Sequence, residues 1–179
     1  MKVVFTVGSL LSVIAQGNAG LVGYGIEPYK PLCAHTCLRS LSTLMLECSS
    51  HMHMGGHMHG GPPPTTPQCR AGDTPWLTTL AWCIHTKCVG LKTSELETFW
   101  EQQSTESPSV SPKWDYSTAL NEVMKPPTKQ LSSTDESLNS TALVDGAGYE
   151  AQFNALSTVQ RENVVESGFG YVSLSWTRS

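Results

Sequence analysis

Charge is what this 179-residue chain has least of. Only 15% of its residues are charged, against about 25% in an average soluble domain. Eleven Lys and Arg face 15 Asp and Glu, so the formal net charge is −4. Such a chain is a poor candidate for nucleic-acid binding, which needs a basic patch, and no nucleic-acid partner is expected. No apolar run reaches the roughly 18–20 residues that a membrane span requires. The signatures of a serine nucleophile elbow, a zinc-protease helix, a phosphate loop and a dinucleotide fold are missing. Gly20, Gly23 and Gly25 do not have the dinucleotide spacing, and no carboxylate pair can be nominated for acid–base work. At 179 residues the chain is also too short for a nucleotide-dependent redox enzyme with a membrane domain. Nothing in these residues supports catalysis unaided.

What is there begins with a leader. Met1-Lys2 precedes an apolar run from Val3 to about Ala15, then Gln16-Gly17-Asn18-Ala19. An early cation, an apolar core and a small-x-small exit at Gly17 and Ala19 make residues 1–19 a secretory signal peptide. Cleavage after Ala19 removes Lys2 and takes the net charge from −4 to −5. All six cysteines follow the leader: Cys33, Cys37, Cys48, Cys69, Cys83 and Cys88. An even number in a secreted chain points to disulfides rather than thiolate ligands. The compact core is therefore expected at 33–88. The sequon Asn139-Ser140-Thr141 marks Asn139 as a glycosylation candidate and fits the same route.

Periodicity locates the helices. Residues 20–32 read as an extended lead-in. Cys33, Cys37, Leu41, Leu44 and Cys48 recur every three or four residues and predict a helix over 33–48. The low-complexity loop that follows, 49–70, carries Gly55-Gly56, Gly60-Gly61 and Pro62-Pro63-Pro64, which no helix interior tolerates. Asp73-Thr74-Pro75 supplies an N-cap and a first-turn proline for a helix over Trp76–Cys88. Ser94 and Glu97 have capping-box spacing and open a helix from Glu95 to about Gln103. Asp115 caps a short helix through Val123. Residues 124–148, rich in Pro, Ser and Thr, read as a flexible linker. Tyr149, Phe153, Leu156 and Val164 are in phase for a helix over 149–166.

Two antiparallel helices joined by the loop place the start of the first beside the end of the second. That geometry nests Cys33 with Cys88, Cys37 with Cys83, and Cys48 with Cys69, one of 15 pairings that six cysteines allow. Each bond contributes a few kcal/mol by restricting the unfolded chain, which a core this small requires. Trp76, Trp82, Phe99 and Trp100 stand at helical spacing and are expected in the core. Glu95, Glu97, Glu101 and Glu106 are expected on a solvated face. His35 and His85 each lie about 200° around the helix from the Cys two places before. A solvent-exposed or capping role is expected for both.

The chemistry sits in one tract, His51-Met52-His53-Met54-Gly55-Gly56-His57-Met58-His59. It holds four of the six histidines and three of the six methionines, and no carboxylate. Imidazole with thioether suits copper, and thioether selects Cu(I). His51, Met52, His53, Met54, His57, Met58 and His59 are the candidate metal ligands, copper the candidate cofactor, and iron a second candidate partner. The same composition also describes a solvated low-complexity loop.

The stretches GLVGYGIEPYKPLCAHTC (20–37), TPQCRAGDTPWLTTLAWCIHTKC (66–88), LETFWEQQST (96–105) and SLNSTALVDGAGYEAQFNAL (137–156) resemble, in family order, the N-terminal extracellular region of fungal ferric-chelate reductases. The resemblance implies an ectodomain of a plasma-membrane metalloreductase. In that family a haem-binding membrane domain follows, then FAD-binding and NADPH-binding domains that send electrons outward to Fe(III) or Cu(II). No membrane span follows the 149–166 helix within these 179 residues, and the haem histidines and nucleotide motifs are not among them. Family catalytic residues therefore have no positions here to map onto.

These readings converge on a mainly α, small disulfide-stapled helical domain with long irregular loops and a C-terminal helix. Its parts are a signal peptide (1–19), the stapled extracellular domain (20–123), the linker (124–148), and a helix and tail (149–179) resembling the lead-in to a membrane domain. The expected place is secreted, or the outer face of the plasma membrane. Two other readings stay open: a free secreted copper-buffering protein, and a cysteine-rich secreted interaction protein.

Overall fold

The computed structural model describes residues 29–49 and 65–176, with side chains as far as Glu162. The signal peptide and the His51–His59 tract lie outside the described residues. Among the described residues there are six helices and no strand: α1 (Leu32–Leu41), α2 (Pro67–Gly72), α3 (Thr74–Lys87), α4 (Thr93–Gln103), α5 (Tyr116–Asn121) and α6 (Gly146–Trp176). The fold is mainly α, as the periodicity predicts. None of these helices is long and apolar enough to cross a membrane.

Short polar side chains set the helix starts. Asp73 serves two helices at once. Its backbone N–H donates to the Cys69 carbonyl at the end of α2, and its carboxylate accepts from Trp76 N (2.7 Å) to open α3. Thr66, followed by Pro67, accepts from Cys69 N and starts α2, a helix the loop assignment over 49–70 overlooks. Asp115 accepts from Thr118 N (2.6 Å) at α5. Beyond α3 the chain reverses through Gly90, whose φ of +89° is a conformation that favours glycine.

Three expected boundaries are corrected. The capping box at Ser94 and Glu97 does not form: α4 begins at Thr93 after an uncapped Lys92, because the Glu97 carboxylate is turned toward α5. The first helix ends at Leu41 rather than Cys48. The apolar series continues through a turn in which Leu44 N donates to Leu41 O, and Leu44 and Leu46 stay buried without being helical. The last helix starts earlier, at Gly146, where Asp145 accepts from Gly148 N (2.8 Å), and runs on to Trp176.

Helix α3 is the hub. It packs on α1, α5 and α2, while α6 lies along α1. Trp76, Leu77, Leu80 and Ile84 of α3 are fully buried with Leu41 of α1 and Trp100 of α4. Each large apolar side chain so buried is worth roughly 1.5–3 kcal/mol. The two buried indoles keep their N–H groups satisfied: Trp76 donates to Ser104 O and Trp100 to Trp114 O, both at 2.8 Å. Trp76, Phe99 and Trp100 are thus in the core, whereas Trp82 is only half-buried and is not part of it.

Residues 124–148 are not a free linker. Leu131, Leu138 and Ala142 are buried in the same core. Leu131 N donates to Leu143 O, and Leu138 N to Met45 O. Thr78 and Thr141 share a hydroxyl–hydroxyl bond of 2.8 Å, and Ala142 N donates to the Thr79 hydroxyl. Three spaced apolar residues and two α3 threonines turn a polar stretch into a strap across the helices.

The disulfides are Cys33–Cys88, Cys37–Cys83 and Cys48–Cys69, with Cα separations of 5.5, 5.8 and 5.6 Å. Cys33 and Cys37 are one turn apart on α1, and Cys83 and Cys88 lie at the C-terminal end of antiparallel α3, so the first two bonds stack along one seam.

Candidate functional site

Two features of the described surface bear on function. The first is the pair of ends from which residues 50–64 emerge. Ser49 and Thr65 meet through their hydroxyls at 2.8 Å. The Ser49 hydroxyl also accepts from Leu46 N at 2.9 Å. Cys48–Cys69 closes the same base covalently. Arg70 reinforces it: one guanidinium nitrogen donates to Thr65 O (3.1 Å) and pairs with Glu106 (2.7 Å), and the group sits 5.0 Å from the Trp76 ring centroid. Burial lowers the Arg70 pKa, and the Glu106 charge opposes that shift. Glu106 itself has a φ of 60°, a left-handed conformation that costs a non-glycine residue about 1–2 kcal/mol. The ion pair and the neighbouring Thr105 hydroxyl, which donates to Ser107 O and Val110 O, hold it there. The base is therefore a preformed hairpin of side chains, and the segment it closes carries His51, Met52, His53, Met54, His57, Met58 and His59.

The second feature is a groove of about 940 Å³ between the start of α1, the end of α3, α4 and α6. Tyr29, His35, Phe99 and Phe153 give it an aromatic wall. His35 is not the exposed residue that its angle from Cys33 suggests. It is half-buried, edge-on to Phe99 (4.9 Å) and Tyr29 (5.5 Å). Desolvation lowers its pKa from the ordinary 6.5. His35 points away from the disulfide seam, but Phe99 of α4 covers that side. His85 is exposed, as expected, tilted against Trp82.

The four glutamates expected on a solvated face divide. Glu95, Glu101 and Glu106 are exposed. Glu97 accepts from Tyr116 N (3.0 Å), Ser117 N (3.1 Å) and the Ser117 hydroxyl (2.6 Å), and Glu106 is ion-paired. Asn139 is exposed, next to buried Leu138. Among the described residues no group of three His, Cys, Asp or Glu is close enough to hold a metal ion. Sequence reasoning missed Ser49, Thr65 and Arg70. Only Thr66-Pro67, a cap followed by a first-turn proline, could have pointed to structure there.

No family model, no curated protein and no solved structure matches this chain.

Proposed function

We propose that the chain is the extracellular N-terminal part of a ferric- or cupric-chelate reductase-like protein of iron and copper uptake, whose His/Met segment captures copper. The observation that carries this reading is the donor set. Seven imidazole and thioether side chains fall within residues 51–59, with no carboxylate among them. That set fits copper, Cu(I) above all, and is a poor fit to Fe(III), which prefers oxygen. Copper is here cargo or substrate. The segment would wrap it, and Gly55-Gly56 and Gly60-Gly61 give the backbone the freedom to do so. The closed base at Ser49, Thr65 and Cys48–Cys69 supports the reading by removing part of the ordering cost that binding would otherwise carry. The order of the stretches over 20–37, 66–88, 96–105 and 137–156 supports the reductase family, and an oxidising compartment fits the three disulfides. Haem, FAD and NADPH belong to the other domains of that family, and no residue here is assigned to them.

Deleting residues 51–59 and measuring Cu(I) affinity by competition with a chromophoric chelator tests the segment. The expected loss is about a hundredfold or more. Unchanged affinity overturns the copper reading. Sequencing the transcript across the codon for Ser179 tests the family. An open frame running into long apolar segments with spaced histidines is expected, and a stop codon there leaves the free copper-binding protein as the better reading.

A further inference from the structure

The three disulfides differ in access and in surroundings. Cys37–Cys83 is sealed, with both residues buried. Cys33–Cys88 and Cys48–Cys69 each keep one sulfur-bearing residue open to solvent, Cys33 in part and Cys48 more so. Their electrostatics differ. Cys48–Cys69 borders a cleft with two carboxylates, Glu47 and Asp73, against which Lys113, bonded to Gly72 O and the Thr74 hydroxyl, sets one positive charge, while the nearby Arg70 is engaged by Glu106. Cys33–Cys88 borders the large groove, whose charged lining residues are Lys30, Lys87 and Glu95. Lys87 is held at the rim over the Tyr149 ring at 4.4 Å. Cys33 also lies in the first turn of α1, a ten-residue helix, where the macrodipole favours a thiolate.

We propose that Cys33–Cys88 is a redox-labile outer staple, opened by a low-molecular-weight thiol while Cys37–Cys83 keeps α1 on α3. The thiolate of the reductant attacks Cys33 Sγ, on the partly exposed residue of the pair. The S–S bond breaks, its electron pair leaves on Cys88 Sγ at the groove that Lys87 also lines, and a mixed disulfide forms on Cys33. A second reductant thiolate attacks the outer sulfur of that mixed disulfide. It releases the oxidised dimer of the reductant and leaves Cys33 as a thiolate at the helix N-terminus, a favourable leaving group. Two thiols are oxidised, one disulfide is reduced, and the protons of the two thiols end on Cys33 and Cys88. Because Cys37–Cys83 sits one turn further in, the break frees only the first turn of α1, and it does so at the groove wall that carries His35 and Tyr29.

The test uses the intact chain in reduced glutathione, sampled over time, quenched in acid, alkylated, and read peptide by peptide by mass spectrometry, with far-UV circular dichroism alongside. Cys33 and Cys88 are expected to take up label at least tenfold faster than Cys48 and Cys69, with Cys37 and Cys83 unlabelled and the helical signal retained. Opening of Cys48–Cys69 first, or loss of helix as Cys33–Cys88 opens, overturns the proposal. In Lys87→Glu the labelling of Cys33 and Cys88 is expected to slow at least threefold while Cys48 and Cys69 are unaffected. An unchanged rate removes the electrostatic basis for the selectivity.

Discussion

At the scale of single residues, two titrations follow from burial. His35 lies between Tyr29 and Phe99, and desolvation holds its pKa below 6.5. The unfolded chain therefore binds the proton more readily. The contribution of neutral His35 is complete above pH 6.5 and is lost as pH falls below it. Proton NMR of the imidazole C2–H should give a midpoint below 6.5 for His35, and a midpoint at or above that value would contradict the burial. Tyr116 behaves in the opposite sense at high pH. Burial, helped by the Glu97 charge, pushes its pKa up to about 12 from 10.0. Between those values the unfolded phenol ionises while the folded one does not, so stability falls as pH rises from 10.0 toward about 12. Ultraviolet titration of tyrosinate absorbance with parallel unfolding measurements should show Tyr116 ionising late. Early ionisation with no loss of stability would refute it.

At the scale of elements, Glu97 joins two helices that the capping-box spacing assigned to one. Its bonds to Tyr116 N and Ser117 N do the work of an N-cap in trans. Glu97→Ala should cost about 1 kcal/mol in urea unfolding, against less than about 0.5 kcal/mol for exposed Glu95→Ala. The strap that precedes α6, over 124–145, is the larger departure from expectation. Leu138 is fully buried, so Leu138→Ala should cost about 2–5 kcal/mol, whereas a residue of a free linker would be neutral. The helices were legible because their apolar positions repeat and because Asp73 and Asp115 stand where caps stand. The strap was not, because the spacing of Leu131, Leu138 and Ala142 would suit a helix face, while the surrounding Pro, Ser and Thr residues argue against a helix. Its anchors, Thr78 and Thr79, lie 63 residues away from their partners in the chain. Only tertiary pairing makes that polar stretch a structural element.

At the scale of the whole molecule, the closed base would separate the proposed copper capture from folding. Ser49 and Thr65 already touch, and closure entropy changes slowly with loop length. Deleting residues 51–59 should therefore shift unfolding free energy by less than about 1 kcal/mol, measured by thermal or urea denaturation. A larger loss would mean that the segment supports the fold, and the copper comparison would need a composition-matched Gly/Ser replacement. The candidate donors stand out from composition alone, since seven imidazole and thioether side chains in nine positions need no fold to be noticed. The base was not, because Arg70, Glu106 and Thr65 carry no spacing signal and come together only after α2 and α4 are placed.

The nesting of the disulfides has a consequence for how the oxidised molecule is made. No bond crosses another in chain order. The innermost, Cys48–Cys69, closes the shortest interval, 21 residues, and removes that length from the path between Cys37 and Cys83. Cys37–Cys83 then leaves Cys33 and Cys88 only a few residues from an existing closure. Each bond lowers the entropy cost of the next, so a reduced chain zips shut from the inside outward. The last bond to form is then the one proposed to open first, and the molecule can run its final oxidation step backwards without undoing the earlier two.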